Sequence, residues 1–275
     1  MAELCLGLAT SHQSFIIDGL HLGDPEQVAQ FQNGYQRLAR ELDEAKPDVV
    51  LIVSADHVNK FFLDNMPAFC IGMLDQFSGP FEAHSRDPGF PYRTLRSDYE
   101  SARYLVERGL DDGVDWAVTE NWEVDHGFMV PLYKIDPDAK FPVIPIFVNC
   151  AAPPLPSVRR CYNVGRWLAT TIAAWPSSKR VALIAAGGLS HSVGSPEMGF
   201  IDVDFDERFL DAFCAGRGEE LASLTDEEID ASGSSSAEVR TWIMLSGAFE
   251  GKTAERVFYA PIEGFLTGCG QCVIR

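Results

Sequence analysis

The sequence predicts a three-layer α/β/α fold around a central, mostly parallel or mixed sheet, and two observations carry that prediction. Short aliphatic runs, Leu4 to Ala9, Val49 to Val53 and Arg180 to Ala186, have the length and β-branched content of buried strands. Between them lie longer stretches whose apolar residues recur at helical spacing, as expected where helices cover both faces of a sheet. With 275 residues, 46% of them hydrophobic, the chain can bury a sizeable core, and 1–275 reads as a single domain.

Taken in order, the first strand runs into Thr10-Ser11-His12. Asp24-Pro25-Glu26 opens a helix with Asp as N-cap and Pro in the first turn, and Val28, Phe31, Tyr35, Leu38 and Leu42 form its buried face. Lys46-Pro47-Asp48 ends it before the strand that leads to Asp56-His57. Met66 to Met73 is a further apolar segment, and Phe61-Phe62 and Phe69 suggest an aromatic wall beside the His57 loop. Ser78 to Pro91, rich in Gly, Pro and charge, reads as a surface excursion in which His84 is solvated, as is His21 in the first loop. Ser97 to Gly109 is a helix, and Val114 to Val118 and Phe141 to Val148 are strands. Pro142 and Pro145 place the second of these near an edge or bulge.

A long helix over Pro156 to Trp175 precedes the strand that delivers Gly187-Gly188-Leu189-Ser190-His191. Asp204 to Ile229 is helical and acidic, with a capping box at Thr225-Asp226-Glu227-Glu228. The Ser232–Ser236 run breaks the chain before a last helix, Ala237 to Phe249, and Arg256 to Tyr259 adds a final strand.

The net charge of −18 repels nucleic acid and anionic lipid, and no apolar run approaches the ~20 residues of a membrane span. The expected compartment is the cytoplasm. Seven scattered cysteines read as reduced, buried thiols; only Cys269 and Cys272 have redox or metal spacing.

Four of the six histidines, His12, His57, His126 and His191, follow candidate strands, and in open α/β sheets ligands bind at that rim. Two histidines and one carboxylate on separate loops, with neighbouring positions open, hold Fe(II) for dioxygen chemistry. His12 and His57 supply the imidazoles. Glu238, opening the last helix behind a Gly-Ser run, is the chosen carboxylate among forty acidic residues. Two alternatives stay open: Ser235-Ser236-Ala237-Glu238 is itself a capping box, and Asp56 lies beside His57, although adjacent residues tend to point apart. A different class of reading comes from Gly188-Leu189-Ser190-His191-Ser192, which nearly matches a nucleophile elbow and offers Ser190 as a hydrolase nucleophile. The loop character of the residues after it, and Ser192 in place of the closing Gly, argue against that reading.

Ser54-Ala55-Asp56-His57-Val58-Asn59-Lys60-Phe61-Phe62, Asp64 to Gly72, Val124-Asp125-His126-Gly127-Phe128, Pro142 to Asn149, Gly187 to His191 and Glu238 to Trp242 together resemble, in the family's order, the class III (LigB-like) extradiol ring-cleavage dioxygenases. Within that family the likeness is greatest to the 2,3-dihydroxyphenylpropionate 1,2-dioxygenases. The resemblance implies His12, His57 and Glu238 as ligands of Fe(II), His191 and His126 as an acid–base pair, and Asp125 as the group orienting His126. It implies a small aromatic diol and O2 as substrates, both oxygen atoms entering beside the diol as the ring opens, and a homo-oligomer. The diol is a catechol with a carboxylate side chain, a gallate-like ring or a hydroxypyridone, with Lys60, Arg86, Arg93 and Arg240 as candidate carboxylate partners. A non-catalytic subunit on the same fold is the other reading the resemblance leaves.

Overall fold

The computed structural model describes residues 1–85 and 90–275, with only the backbone described at 84 and 85. In chain order its strands are β1 (Glu3–Thr10), β2 (Val49–Ser54), β3 (Phe69–Gly72), β4 (Gln76–Gly79), β5 (Arg93–Arg96), β6 (Ala117–Thr119), β7 (Val143–Val148), β8 (Arg180–Ala186), β9 (Glu255–Ile262) and β10 (Thr267–Ile274). Eight of these form one mixed sheet in the order β6-β3-β7-β2-β8-β1-β10-β9, and β4 and β5 pair separately. The centre, β7-β2-β8-β1, is parallel.

The helices are α1 (Phe15–Asp18), α2 (Pro25–Ala45), α3 (Glu82–Ser85), α4 (Tyr99–Asp112), α5 (His126–Ile135), α6 (Val158–Ala174), α7 (Val203–Cys214), α8 (Gly218–Leu221), α9 (Asp226–Ala231) and α10 (Val239–Ala248). Strand alternation sorts the core into two layers. Val49, Leu51 and Val53 of β2 face the helices α4, α6, α7 and α10, while Val50 and Ile52 face α2 and α5. The predicted three-layer α/β/α architecture, with a mixed sheet in one domain, is the fold observed.

Several element boundaries differ from the sequence reading, each for a local reason. β7 is central rather than an edge. Its antiparallel ladder with β3 spans only Ile146–Val148, so Pro145 lies where that ladder stops. There it abuts Gly72, where an added Cβ would sit 2.8 Å from the proline ring. α4 is capped by Asp98 and ends at Gly113, in left-handed backbone, rather than at Gly109. Gly109 stays inside the helix because it packs against Trp116. The acidic 204–229 segment is three short helices, and its predicted capping box at Thr225 and Glu228 is present.

β10 was not predicted. It pairs antiparallel with β1 and β9 and carries Cys269 and Cys272 into opposite core layers. The two thiols therefore do not form a pair; Cys272 Sγ lies 3.8 Å from Cys214 instead. All seven cysteines are free. Among the described residues no helix is long and apolar enough to cross a membrane.

Candidate active site

Adjacent parallel strands bring three histidines to one rim. Thr10 pairs with Ala186 and Val53 with Ala185, so β1, β8 and β2 end side by side and His12, His191 and His57 follow them. His126 arrives differently, as the first residue of α5, whose N-cap Asp125 accepts the Gly127 N–H. Glu238 closes a 3-10 turn over Ser236–Glu238 that leads into α10. The ring centroids of His12 and His57 are 5.2 Å apart at 77°, and those of His57 and His126 are 4.1 Å apart, stacked at 30°. All four imidazoles and Glu238 line one cavity of about 350 Å³.

Glu238 binds the two first histidines at once: Oε1 lies 3.0 Å from His57 Nε2 and Oε2 lies 3.2 Å from His12 Nε2. Oε2 also accepts the Gly188 N–H at 2.6 Å. That approach depends on Gly187 and Gly188. A Cβ on Gly187 would meet the Glu238 carbonyl at 2.8 Å, and one on Gly188 would meet His191 Cε1 at 2.7 Å. The predicted capping box at Ser235 is absent; the Glu238 side chain is turned to the histidines instead.

In three of the rings Nδ1 faces an acceptor. His57 Nδ1 is 2.8 Å from Asp125 Oδ2, His126 Nδ1 is 2.7 Å from Glu82 Oε1, and His191 Nδ1 is 3.0 Å from the Leu189 carbonyl. An oxygen that only accepts requires Nδ1 to carry the proton, which leaves Nε2 as the lone-pair nitrogen of a neutral His126 or His191 ring, while His57 Nε2 faces the Glu238 carboxylate as well. His12 Nδ1 lies 3.3 Å from Ser54 Oγ, and its Nε2 turns to Glu238. The His57 loop is held in an unusual shape. Val58 has φ +58°, a rare conformation for a β-branched residue, while buried Asp56 accepts the backbone N–H groups of Asn59, Lys60 and Phe61. Asp56 therefore caps the loop and takes no part in the histidine cluster.

Charge balance in the cluster follows from burial set against pairing. Burial lowers the His12 pKa. Burial opposes charge on His57 as well, but the Asp125 carboxylate and Glu238 outweigh it and hold His57 well above its ordinary value. Burial would raise Glu238, yet His12, His57 and His191 bring it well below the usual carboxylate range. A carboxylate joining two imidazole Nε2 atoms about 3 Å away is a donor set suited to a first-row metal ion, whose ~2.1 Å bonds put neighbouring donors at such separations. Nitrogens of His12, His57 and His126 also lie within 4.8 Å of one another, as do ligand atoms of Glu82, Asp125 and His126.

Comparison with known proteins decides the class. Residues 6–265 match the family model described as the catalytic LigB subunit of aromatic ring-opening dioxygenase. The chain belongs to this family. It is an extradiol ring-cleavage dioxygenase. Relatives include a 2,3-dihydroxyphenylpropionate/2,3-dihydroxicinnamic acid 1,2-dioxygenase of Photorhabdus laumondii, 29% identical over 95% of this chain and 94% of its own. A protein of the same name from Paraburkholderia phymatum is 31% identical over 90% of both chains. In fold, the chain matches the crystal structure of an uncharacterized protein from Escherichia coli K12 with a TM-score of 0.64, 17% identity, and coverage of 98% of this chain and all of that one.

The dioxygenase departs from the sequence reading at several side chains. Asp125 was expected to orient His126, but it holds His57, through both the ring and the backbone N–H at 2.7 Å. Glu82 is the residue on His126, accepting its ring N–H and, at 3.1 Å, its backbone N–H. Sequence reasoning missed Glu82 because it sits in the stretch read as a surface excursion, 44 residues before its partner. Ser190 is no nucleophile: it is buried, and its Oγ lies 2.9 Å from Asp206 and bonds the Asp202 backbone.

Of the candidate carboxylate partners, buried Arg240 is bound to the Pro156 and Ala237 carbonyls and to Asp226. Arg93 is held by the Asp136 and Pro137 carbonyls and lies over the Tyr133 ring. Lys60 is half-buried within the His57 loop and is not among the residues lining the cavity. Arg86 falls outside the described residues, as does the His84 side chain, and His21 is exposed. The aromatic wall is real but partial: Phe61 packs on Phe147 and Trp122, Phe69 packs on Trp116 in the other layer, and Phe62 is exposed.

Proposed function

We propose that the site holds Fe(II) through His12, His57 and Glu238 and uses it to open the ring of a small aromatic vicinal diol with O2. The observation that carries this reading is the Glu238 carboxylate spanning the Nε2 atoms of His12 and His57. An imidazole holds a metal in its own ring plane. His12 stands at 77° to His57 and at 86° to His126, so either ring could share a metal with it, whereas His57 and His126, stacked at 30°, aim at one point poorly. The Glu238 carboxylate on His12 and His57 selects that pair and leaves His126 for proton chemistry. Bound there, ferrous iron supplies Lewis acidity toward the diol oxygens and one-electron chemistry toward O2.

The remaining steps belong to the chain's own groups. His191, with Nδ1–H directed to the Leu189 carbonyl, has a free Nε2 to take a proton from a diol hydroxyl. His126, fixed by Glu82, presents its own Nε2 to the same cavity and serves as the partner through which a proton is returned. Asp125 acts at one remove, keeping the proton of His57 on Nδ1 so that Nε2 stays available to metal. Phe265 and Leu266 line the same cavity and give the aromatic ring apolar surface to rest on.

Strands of one sheet run from residue 3 to 274, which supports reading 1–275 as one catalytic domain. Free cysteines support a reducing, cytoplasmic setting. Exposed Val58, Phe62 and Leu63 support self-association, testable by light scattering. The decisive experiment is anaerobic loading with Fe(II), then a panel of catechols, gallates and hydroxypyridones with oxygen. Ring-opened product is expected, and no turnover across the panel with iron demonstrably bound rejects the reading.

A further inference from the structure

The cavity has two unlike kinds of lining. The four imidazoles and Glu238 make up one; Phe15, Val193, Met198, Phe265 and Leu266 make up the other, and Gln13, Ser14 and Ser235 complete it. Its apolar members come from separate segments: Phe15 stacks on Phe265 at 6.4 Å, and a Cβ added at Gly199, in the loop carrying Val193 and Met198, would lie 3.6 Å from the Leu266 side chain. Val193 and Met198 remain 46% and 58% exposed, as does Phe200 beside them at 46%. Large apolar side chains left open around a pocket mouth mark a surface kept for an apolar ligand. Gln13 spends one amide N–H on Thr267 at 2.9 Å.

Size leaves room for a substituent. A cavity of ~150 Å³ accommodates a benzene ring, so the space of about 350 Å³ leaves roughly 200 Å³ beside the ring for a substituent. A carboxylate placed there would exchange water for the apolar surfaces of Phe15, Met198 and Leu266, and no Lys or Arg among the described lining residues pairs with it. It would also face Glu238, with Glu82 and Asp125 behind the imidazoles, in a chain of net charge −18. Among the described residues, Arg93 and Arg240 are already committed to carbonyls elsewhere.

We propose that the substrate is a vicinal diol whose ring carries an uncharged apolar substituent, alkyl or aryl, seated against Phe15, Val193, Met198 and Leu266, in preference to a ring with a carboxylate side chain. This rests on the diol-cleaving reading above and differs from the acids in the names of the relatives. Two measurements test it. In the first, the Fe(II)-loaded enzyme is given 3-propylcatechol, 3-phenylcatechol and 3-(2-carboxyethyl)catechol. The expected kcat/KM for the uncharged pair exceeds that for the acid by at least tenfold, and Met198→Arg raises the acid's value about tenfold while lowering that of 3-phenylcatechol.

The second needs no turnover: calorimetric titration of metal-free protein with 3-phenylphenol and with 3-(3-hydroxyphenyl)propionate, the first expected to bind at least tenfold tighter. Equal or tighter binding of the acid, or binding of neither, overturns the proposal even where the catechols are cleaved. A preference for the acid that Arg86→Ala abolishes would also overturn it and assign the carboxylate to Arg86. Failure to cleave any catechol, with tight binding of 3-phenylphenol, sinks the dioxygenase chemistry but supports the apolar pocket.

Discussion

Replacing Glu82 by Gln separates the two ways the histidine cluster can be divided between metal and proton chemistry. Glu82 is buried, its Oε1 accepting the His126 ring N–H at 2.7 Å and its Oε2 the His126 backbone N–H at 3.1 Å. An amide can reproduce one of these contacts and turns an N–H donor toward the other. The loss is that of one charge-assisted hydrogen bond, about 1.5–3 kcal/mol. If His126 acts only through its orientation and tautomer, that energy appears in the barrier and kcat falls roughly 10- to 100-fold. KM and iron content should barely change, because Glu238, His12 and His57 do not touch Glu82. The assay is oxygen uptake with metal content measured on the same samples. An unchanged kcat refutes the orienting role; loss of iron with residual chemistry intact refutes the ligand assignment, since Glu82, Asp125 and His126 themselves form a group with ligand spacing.

Other substitutions extend the test. Glu238→Ala and His57→Ala should empty the metal site, whereas His191→Ala should keep iron and lose about 10² to 10⁴ in kcat; equal metal loss in all three, by elemental analysis, would overturn the division of roles. Gly188→Ala puts a methyl 2.7 Å from His191 Cε1, so kcat should drop at least tenfold while iron is retained; a variant as active as the parent would show that the ring can shift freely. Asp206→Asn should change the pH dependence of stability. Burial pushes the Asp206 carboxyl up to about 6, so it is protonated in the folded protein, and ionised in the unfolded chain, between about pH 4 and 6. Its contribution is therefore full at low pH and lost as pH rises through about 6. Between pH 7 and pH 5 the parent should gain roughly 1 kcal/mol relative to the variant, measured by urea unfolding, and parallel curves would contradict this.

What the sequence makes legible is what local pattern determines. His12, His57 and His191 are readable because each follows an aliphatic run long enough to be a buried strand, and parallel strands share one carboxyl-end rim. Glu238 is ambiguous by pattern, since a Ser-x-x-Glu run before a helix is a cap by default. Only the approach of Gly187 and Gly188 turns its carboxylate to the histidines. Glu82 and the true partner of Asp125 are invisible, because each hydrogen bond joins segments 44 to 68 residues apart through loops without periodicity. β10 escapes for another reason: Thr267-Gly-Cys-Gly-Gln has little β propensity, and it is a strand because β1 and β9 flank it.

β10 matters to the site in a way its composition conceals. The His191 loop leaves β8 and is gripped from three directions. Gly268 of β10 donates to the Ser190 carbonyl at 3.0 Å and accepts from Leu189, Asp206 of α7 accepts the Ser190 backbone N–H at 2.7 Å, and Ser236 accepts the His191 N–H at 3.2 Å. Gly268 can come so close only without a side chain, since a Cβ there would overlap the Asp206 carboxylate. The Gly-Ser run before Glu238 is part of the same clamp, with Ser235 N–H bonded to the His191 carbonyl. One set of hydrogen bonds thus fixes the proposed base and the turn that carries the proposed metal ligand. A change in this clamp should shift His191 and Glu238 together, lowering kcat and metal affinity in step, whereas a change at Glu82 should touch kcat alone.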